Sequence, residues 1–265
     1  MAGLNLVETA NRGLPIRATI IDTHAHMGPY WNFHIPFNGP EGMIGSMDSL
    51  GIKSTLVCPH LSIGPDFRAG NDLTLQTVRR FPDRFMGAIG INPNYPDLVL
   101  PEIRRFAEEP GMRAIKLHPS LHDYPAGGDA YREVYEEAAR RNLPVTTHTW
   151  RGDKNCAPSI YAEVALEYPE TVFLLIHSGG DMKGIQEAIE SAMKSDNIYL
   201  DTSGSTTFHM VERLYRGLGS ERILFGSDNP FIDPAAQLGK IIYAPIPDEA
   251  KLDIMGQNAK RLLGI

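Results

Sequence analysis

The feature that most narrows the fold of this 265-residue chain is a rhythm of short apolar runs, each followed by an amphipathic stretch. The runs lie at 17–23, 54–58, 85–91, 112–118, 143–148, 171–177, 197–202 and 222–227. Several are almost continuously apolar, as in Thr171-Val172-Phe173-Leu174-Leu175-Ile176, which is what a parallel strand covered on both faces requires. Helices are expected near 41–50, 70–80, 96–108, 128–142, 158–167, 180–194 and 206–217, with a terminal helix at 247–262. The 128–142 segment sets Tyr131, Val134, Tyr135, Ala138 and Ala139 on one stripe, and Asn142-Leu143-Pro144 stops it. Eight strands alternating with helices over about 250 residues is the count of a (β/α)8 TIM barrel. The expectation is an α/β single domain over 1–265, with 1–16 as an N-terminal extension. A doubly wound open sheet competes, but it calls for a glycine-rich phosphate turn after the first strand, and none is present.

Composition removes other classes. With 25 basic and 32 acidic residues the net charge is -7, the wrong field for a nucleic-acid or membrane-surface partner. No apolar run approaches the ~20 residues of a membrane span. Met1 to Pro15 shows neither the basic region nor the apolar core of a signal peptide. Cys58 and Cys156 are too few for a disulfide framework. A cytoplasmic protein with reduced thiols and a small-molecule substrate is expected.

In such barrels the chemistry sits at the carboxyl ends of the strands. Strand one ends in Asp22-Thr23-His24-Ala25-His26. Residues two apart share a strand face at a spacing of ~7 Å, so both imidazoles, the commonest metal-ligand type, can converge on one ion. Strand four closes with Lys116-Leu117-His118, strand five with His148-Thr149-Trp150-Arg151 and strand six with His177-Ser178-Gly179-Gly180. Strand eight closes with Gly226-Ser227-Asp228-Asn229-Pro230. Singly, His177 reads as a buried histidine before a turn and Asp228 as a cap on the Asn229-Pro230 turn. One metal explains all of these positions together.

These pieces resemble the amidohydrolase superfamily, specifically the amidohydrolase-related group that includes aminocarboxymuconate semialdehyde decarboxylase. The matching segments are Asp22-Thr23-His24-Ala25-His26, His148-Thr149-Trp150, Ile176-His177-Ser178-Gly179-Gly180 and Phe225-Gly226-Ser227-Asp228-Asn229-Pro230-Phe231. Asn71-Asp72, Phe81-Pro82-Asp83-Arg84-Phe85 and Asn258-Ala259-Lys260-Arg261-Leu262-Leu263 extend the likeness along the chain.

The resemblance implies a metal-dependent hydrolase type of barrel with one divalent metal ion held by His24, His26, His148 and Asp228. Zinc suits such nitrogen and oxygen ligands and leaves room for water. Asp228 would take a proton from that water, and His177 would act as acid or base or polarise a carbonyl. Asp22, deeper on the same face, would support the ligands. Lys116 either bridges a second metal when carboxylated or, with His118, binds the substrate. Trp150, Arg151 and Arg68 are further substrate-binding candidates. His60, His122 and His209 carry only a surface or loop reading, and Cys156 no nucleophile reading.

The expected reaction is hydrolysis, by metal-bound hydroxide attacking a carbonyl carbon of a small carboxylated or cyclic substrate. The alternative is a non-oxidative decarboxylase on the same site, against which the short chain speaks by leaving little room for long substrate loops. A non-catalytic barrel with a structural metal fits less well, because structural zinc is normally closed by four protein ligands. A barrel nuclease is disfavoured by the net charge. A homodimer is the assembly the resemblance implies.

Overall fold

A computed structural model describes residues 5–265. Eight parallel strands follow one another in chain order around a nearly closed barrel. They are β1 (Ile20–Ala25), β2 (Ile52–Val57), β3 (Phe85–Gly90), β4 (Met112–Leu117), β5 (Val145–His148), β6 (Phe173–Ile176), β7 (Ile198–Asp201) and β8 (Ile223–Leu224). Every expected run overlaps a strand: six strands lie within their runs, whereas β1 continues to Ala25 and β2 begins at Ile52, before the expected start. Alternation along each strand splits the core in two. Ile21, Leu56, Met86, Ala88, Ala114, Leu174, Ile176 and Leu224 gather in an inner cluster. Ile20, Val57, Phe85, Ile89, Ile115, Phe173 and Leu175 join the larger layer under the helices. On β4 the inward parity of Ala114 passes to Lys116 two residues on, which is how a lysine becomes 98% buried (relative exposure 2%) beneath the site.

The helices are α1 (Leu6–Asn11), α2 (Pro40–Leu50), α3 (Phe67–Arg80), α4 (Pro96–Phe106), α5 (Pro119–His122) and α6 (Arg132–Arg141). Then come α7 (Pro158–Glu167), α8 (Met182–Lys194), α9 (Met210–Leu218), α10 (Pro234–Ile242), α11 (Asp248–Leu252) and α12 (Asn258–Leu263). The expected stop after 141 is real: Asn142 takes the left-handed conformation with φ 54°, which its short polar side chain tolerates. The expected terminal helix is three pieces, because a π-helical turn at Asp253–Gln257 separates α11 from α12. The extension before residue 17 contains α1, capped by Asn5 through a 2.8 Å bond from the Glu8 amide. Among the described residues no helix is long and apolar enough to cross a membrane.

The barrel is closed beyond the two-residue β8. The Thr23 amide donates to the Phe225 carbonyl at 2.8 Å, the Asp228 amide to the His24 carbonyl at 2.8 Å, and the His26 amide to the Asn229 carbonyl at 2.8 Å. Asp22 locks this seam: its Oδ1 accepts from the amides of His24 (3.1 Å) and Ser227 (2.9 Å), and its Oδ2 from the Ser227 hydroxyl at 2.5 Å. Asp22 therefore holds the backbone of β1 against that of the chain beyond β8.

A second buried clamp lies at β3. Asn71 of α3 donates to the Gly90 carbonyl (2.9 Å) and accepts from the Gly90 amide (2.8 Å), while also reaching Glu102 of α4 at 3.3 Å. Arg68 donates to the same Glu102 at 2.7 Å. Asn71→Ala leaves both backbone groups of Gly90 unpartnered in the core, and should cost about 2–4 kcal/mol. A thermal melt checks this; an unchanged midpoint would mean that water or a neighbour replaces the amide.

Candidate active site

The seam delivers His24, His26 and Asp228 to one place. His24 Nε2 lies 3.2 Å and His26 Nε2 3.5 Å from Asp228 Oδ1. His26 is oriented from behind, its Nδ1–H donating to the Cys58 carbonyl at 2.8 Å. That bond leaves Nε2 with its lone pair toward Asp228. His24 Nε2 is buried with no hydrogen-bond partner. Asp228 itself sits at φ 60°, a conformation that costs a non-glycine residue about 1–3 kcal/mol and persists where the surroundings over-determine it.

His177 enters from β6 through a similar distortion, with φ 67° at His177 and 45° at Ser178. Ligand atoms of His24, His177 and Asp228 all lie within 4.8 Å of one another, and all three residues are buried. The His148 ring stands 5.0 Å from that of His177 and stacks on His118 at 4.1 Å. Burial, reinforced by neighbours including Lys116, holds His24 and His118 well below the usual imidazole range, and brings His148 down to about 4. His26 and His177 are also pushed well below it, chiefly by burial. Lys116 is lowered by the same desolvation.

Neutral imidazoles, an unpartnered buried Nε2 and an adjacent carboxylate are what a divalent cation needs for binding. The donor set fits one such ion.

The cluster opens into a cavity of about 300 Å³ walled by Tyr30, His60, Leu121, Trp150, Phe231 and neighbouring residues. Phe231 packs against Tyr30, with ring centroids 5.4 Å apart. A larger open groove of about 680 Å³, flanked by Met193, Phe208 and Arg213, holds no such cluster.

The amidohydrolase family model matches residues 61–265. This chain belongs to the amidohydrolase family. The matched segment carries His148, His177 and Asp228, while the structure supplies His24 and His26 from outside it. Among solved structures, the chain is similar to 5-carboxyvanillate decarboxylase LigW from Sphingomonas paucimobilis, at 20% identity and a TM-score of 0.69 over 93% of this chain and 99% of that one. It is likewise similar to 2,6-dihydroxybenzoate decarboxylase from Rhizobium, at 17% identity and 0.70 over 93% and 99%. A third is 5-carboxyvanillate decarboxylase from Novosphingobium aromaticivorans, solved with manganese and a nitrobenzoic acid, at 13% identity and 0.72 over 94% and 97%.

The amidohydrolase barrel does not bring every expected residue to the cavity. Arg151 is half exposed and forms a bidentate pair with Asp181, from Nε to Oδ1 at 2.9 Å and from a terminal nitrogen to Oδ2 at 2.7 Å, so it faces the rim. Arg68 is held by Glu102 on the outer helical layer. Trp150 does line the cavity, and Lys116 lies below it. His209 pairs with Glu212 on the surface as expected, whereas His122 is buried against Tyr131 Oη at 3.2 Å.

Expected on the surface or in a loop, His60 is instead part of the wall. It stacks on His26 at 4.8 Å, donates from Nδ1 to the Gly28 carbonyl at 2.9 Å and leaves Nε2 buried without a partner. It stands just past β2, so the strand-end rule applied to strands one, four, five, six and eight would have found it. Asp201, at the end of β7, would have been found in the same way.

Two measurements test this geometry. Without metal, the unfolded chain takes up protons below the ordinary imidazole value of 6.5 while folded His148 resists them down to about 4. Stability in chelator, taken relative to His148→Gln so that the opposite contributions of the raised Asp22 and Asp201 carboxyls cancel, should therefore fall as pH drops from 6.5 toward 4; a difference that stays flat across that window in denaturant titrations would contradict it. In Gly204→Ala, the new Cβ would lie 2.2 Å from His177 Nδ1 at a residue with φ +73°. The variant should fold yet lose about 100-fold or more in turnover, measured beside its circular dichroism.

Proposed function

We propose that this amidohydrolase is a metal-dependent, non-oxidative decarboxylase of a small aromatic or unsaturated carboxylic acid. The observation that carries the reading is the cavity: about 300 Å³, with Tyr30, Trp150 and Phe231 in its wall, opening on the buried His24, His177 and Asp228 cluster. A planar ring suits those walls. Both candidate arginines are engaged elsewhere, so the metal centre, with Lys116 and His118 beside it, is the proposed partner for the substrate's carboxylate. The similarity to barrels that decarboxylate carboxyvanillate and dihydroxybenzoate supports the same reading. Those matches run nearly the full length of both chains, so the shortness of this chain does not count against it.

His24, His26, His148 and Asp228 would hold the ion, with zinc or manganese as candidates. Once bound, it acts as a Lewis acid on the substrate's oxygen atoms. The remaining work falls to the protein. The aromatic walls hold the ring and exclude water. As the C–C bond breaks, its electron pair stays on the ring carbon, carbon dioxide leaves and one proton is taken up. Asp228 and His177 are the groups placed to deliver that proton. Hydrolysis is the second reading, favoured by Asp228 Oδ1 standing 3.2 and 3.5 Å from the two β1 histidines, where it can take a proton from water.

Protein reconstituted separately with zinc and manganese should bind about one equivalent of metal. It should release carbon dioxide from members of an aromatic acid panel and, in heavy water, place one deuterium on the carbon that lost it. Hydrolysed products without carbon dioxide would replace this reading with the second. His24→Ala should lose both metal and turnover, whereas Asp228→Asn should lose turnover and keep more of the metal, as read by elemental analysis. Absence of metal from wild-type protein purified without chelators would overturn both readings.

A further inference from the structure

At the end of β7, Asp201 is fully buried, and its Oδ1 collects three donors. These are the backbone amide of His177 (3.0 Å), the backbone amide of Ser203 (2.8 Å) and the Ser203 hydroxyl. With two amides aimed at it, Oδ1 is an acceptor whatever the protonation state of the carboxyl. Ser203 has a single hydroxyl proton, and Oδ1 takes it. The serine oxygen is then left with lone pairs, and it lies 3.0 Å from His177 Nδ1. A lone pair there requires a proton on Nδ1.

We propose that Ser203, oriented by Asp201, is a positioning residue that fixes His177 as its Nδ1–H tautomer and so presents Nε2 as a lone pair to the reaction cavity. The packing supports a single arrangement. Gly204 lies so close under the ring that a Cβ would meet Nδ1 at 2.2 Å. The loop that carries Ser203 is tied down by Lys240, whose ammonium donates to the carbonyls of Thr202 and Ser205 at 2.7 Å each. Resting on the reading that His177 handles the proton, the assignment orders the transfer. Nε2 first accepts one proton from solvent and then gives it to the carbon that has lost carbon dioxide, while the Nδ1 proton stays in place throughout. Asp201 and Ser203 gain and lose nothing.

The test is ¹⁵N NMR of the full-length protein, labelled in its histidine rings and carrying zinc as a diamagnetic ion, with His177→Gln used to assign the signal. Wild type should show His177 Nδ1 as the protonated nitrogen. Asp201→Asn should keep that signature, because the three donors select the amide oxygen for the Oδ1 position. Ser203→Ala should mix the tautomers and lower kcat about 10- to 100-fold, with KM changed less than about twofold. A proton on Nε2 in wild type, or a Ser203→Ala protein with unaltered tautomer and kcat, overturns the proposal. If Ser203→Ala does not fold, the wild-type and Asp201→Asn spectra decide it. If the spectra agree but no acid is decarboxylated, the tautomer assignment stands and the reaction reading falls.

Discussion

Everything at the site depends on the hydrogen-bonded seam between β1 and the chain beyond β8. Asp22 accepts from the amides of His24 and Ser227 and from the Ser227 hydroxyl, so one buried carboxyl joins the first strand to the last. The bonds that close the barrel also bring Asp228 Oδ1 to 3.2 Å from His24 and 3.5 Å from His26. Closure and the gathering of His24, His26 and Asp228 are therefore one event. A chain that failed to close would not merely lose stability; it would carry its two histidines and its carboxylate on opposite edges of an open sheet. The left-handed backbone at Asp228 is tolerated because this seam over-determines it.

The second organising constraint is electrostatic. Imidazoles and Lys116 crowd into one desolvated space, and burial suppresses their charged forms. Neutral histidines still need their N–H groups satisfied. The Cys58 carbonyl serves His26, and the Gly28 carbonyl serves His60. Carbonyl oxygens can only accept, so the tautomers of these two rings follow directly, with Nε2 left free on each. The strand ends thus supply acceptors behind the rings, and the rings supply lone pairs in front. A cation can enter such a place at low cost because the imidazoles are already neutral.

Much of this was legible in the residues. The eight apolar runs became eight strands because continuous apolar sequence of that length is satisfied in a covered parallel sheet. His24, His26, His177 and Asp228 gathered where the strand-end rule placed them. Arg68 and Arg151 did not, and the reason is local. Each sits beside a carboxylate contributed from elsewhere in the chain, Glu102 and Asp181, and such pairing has no sequence periodicity. His60 stands beyond its apolar run, as His26 does, but without a second histidine two residues away to mark it. The terminal helix broke at Asp253–Gln257, a π-helical turn that apolar spacing does not reveal.

The order of strands, their parallel sense and the residue types at their carboxyl ends were determined by the sequence alone. They follow from local apolar patterning and from short spacings along a single strand. Tertiary structure decided which of those residues face one another. It drew the His24, His177 and Asp228 ligand atoms within 4.8 Å, sent two arginines to outer ion pairs, and set His60 and the Asp201–Ser203 pair against the site. Those outcomes depend on barrel closure and on partners as many as 205 positions apart, as Asp22 and Ser227 are. Hydrogen-bond direction and burial exist only once such partners meet.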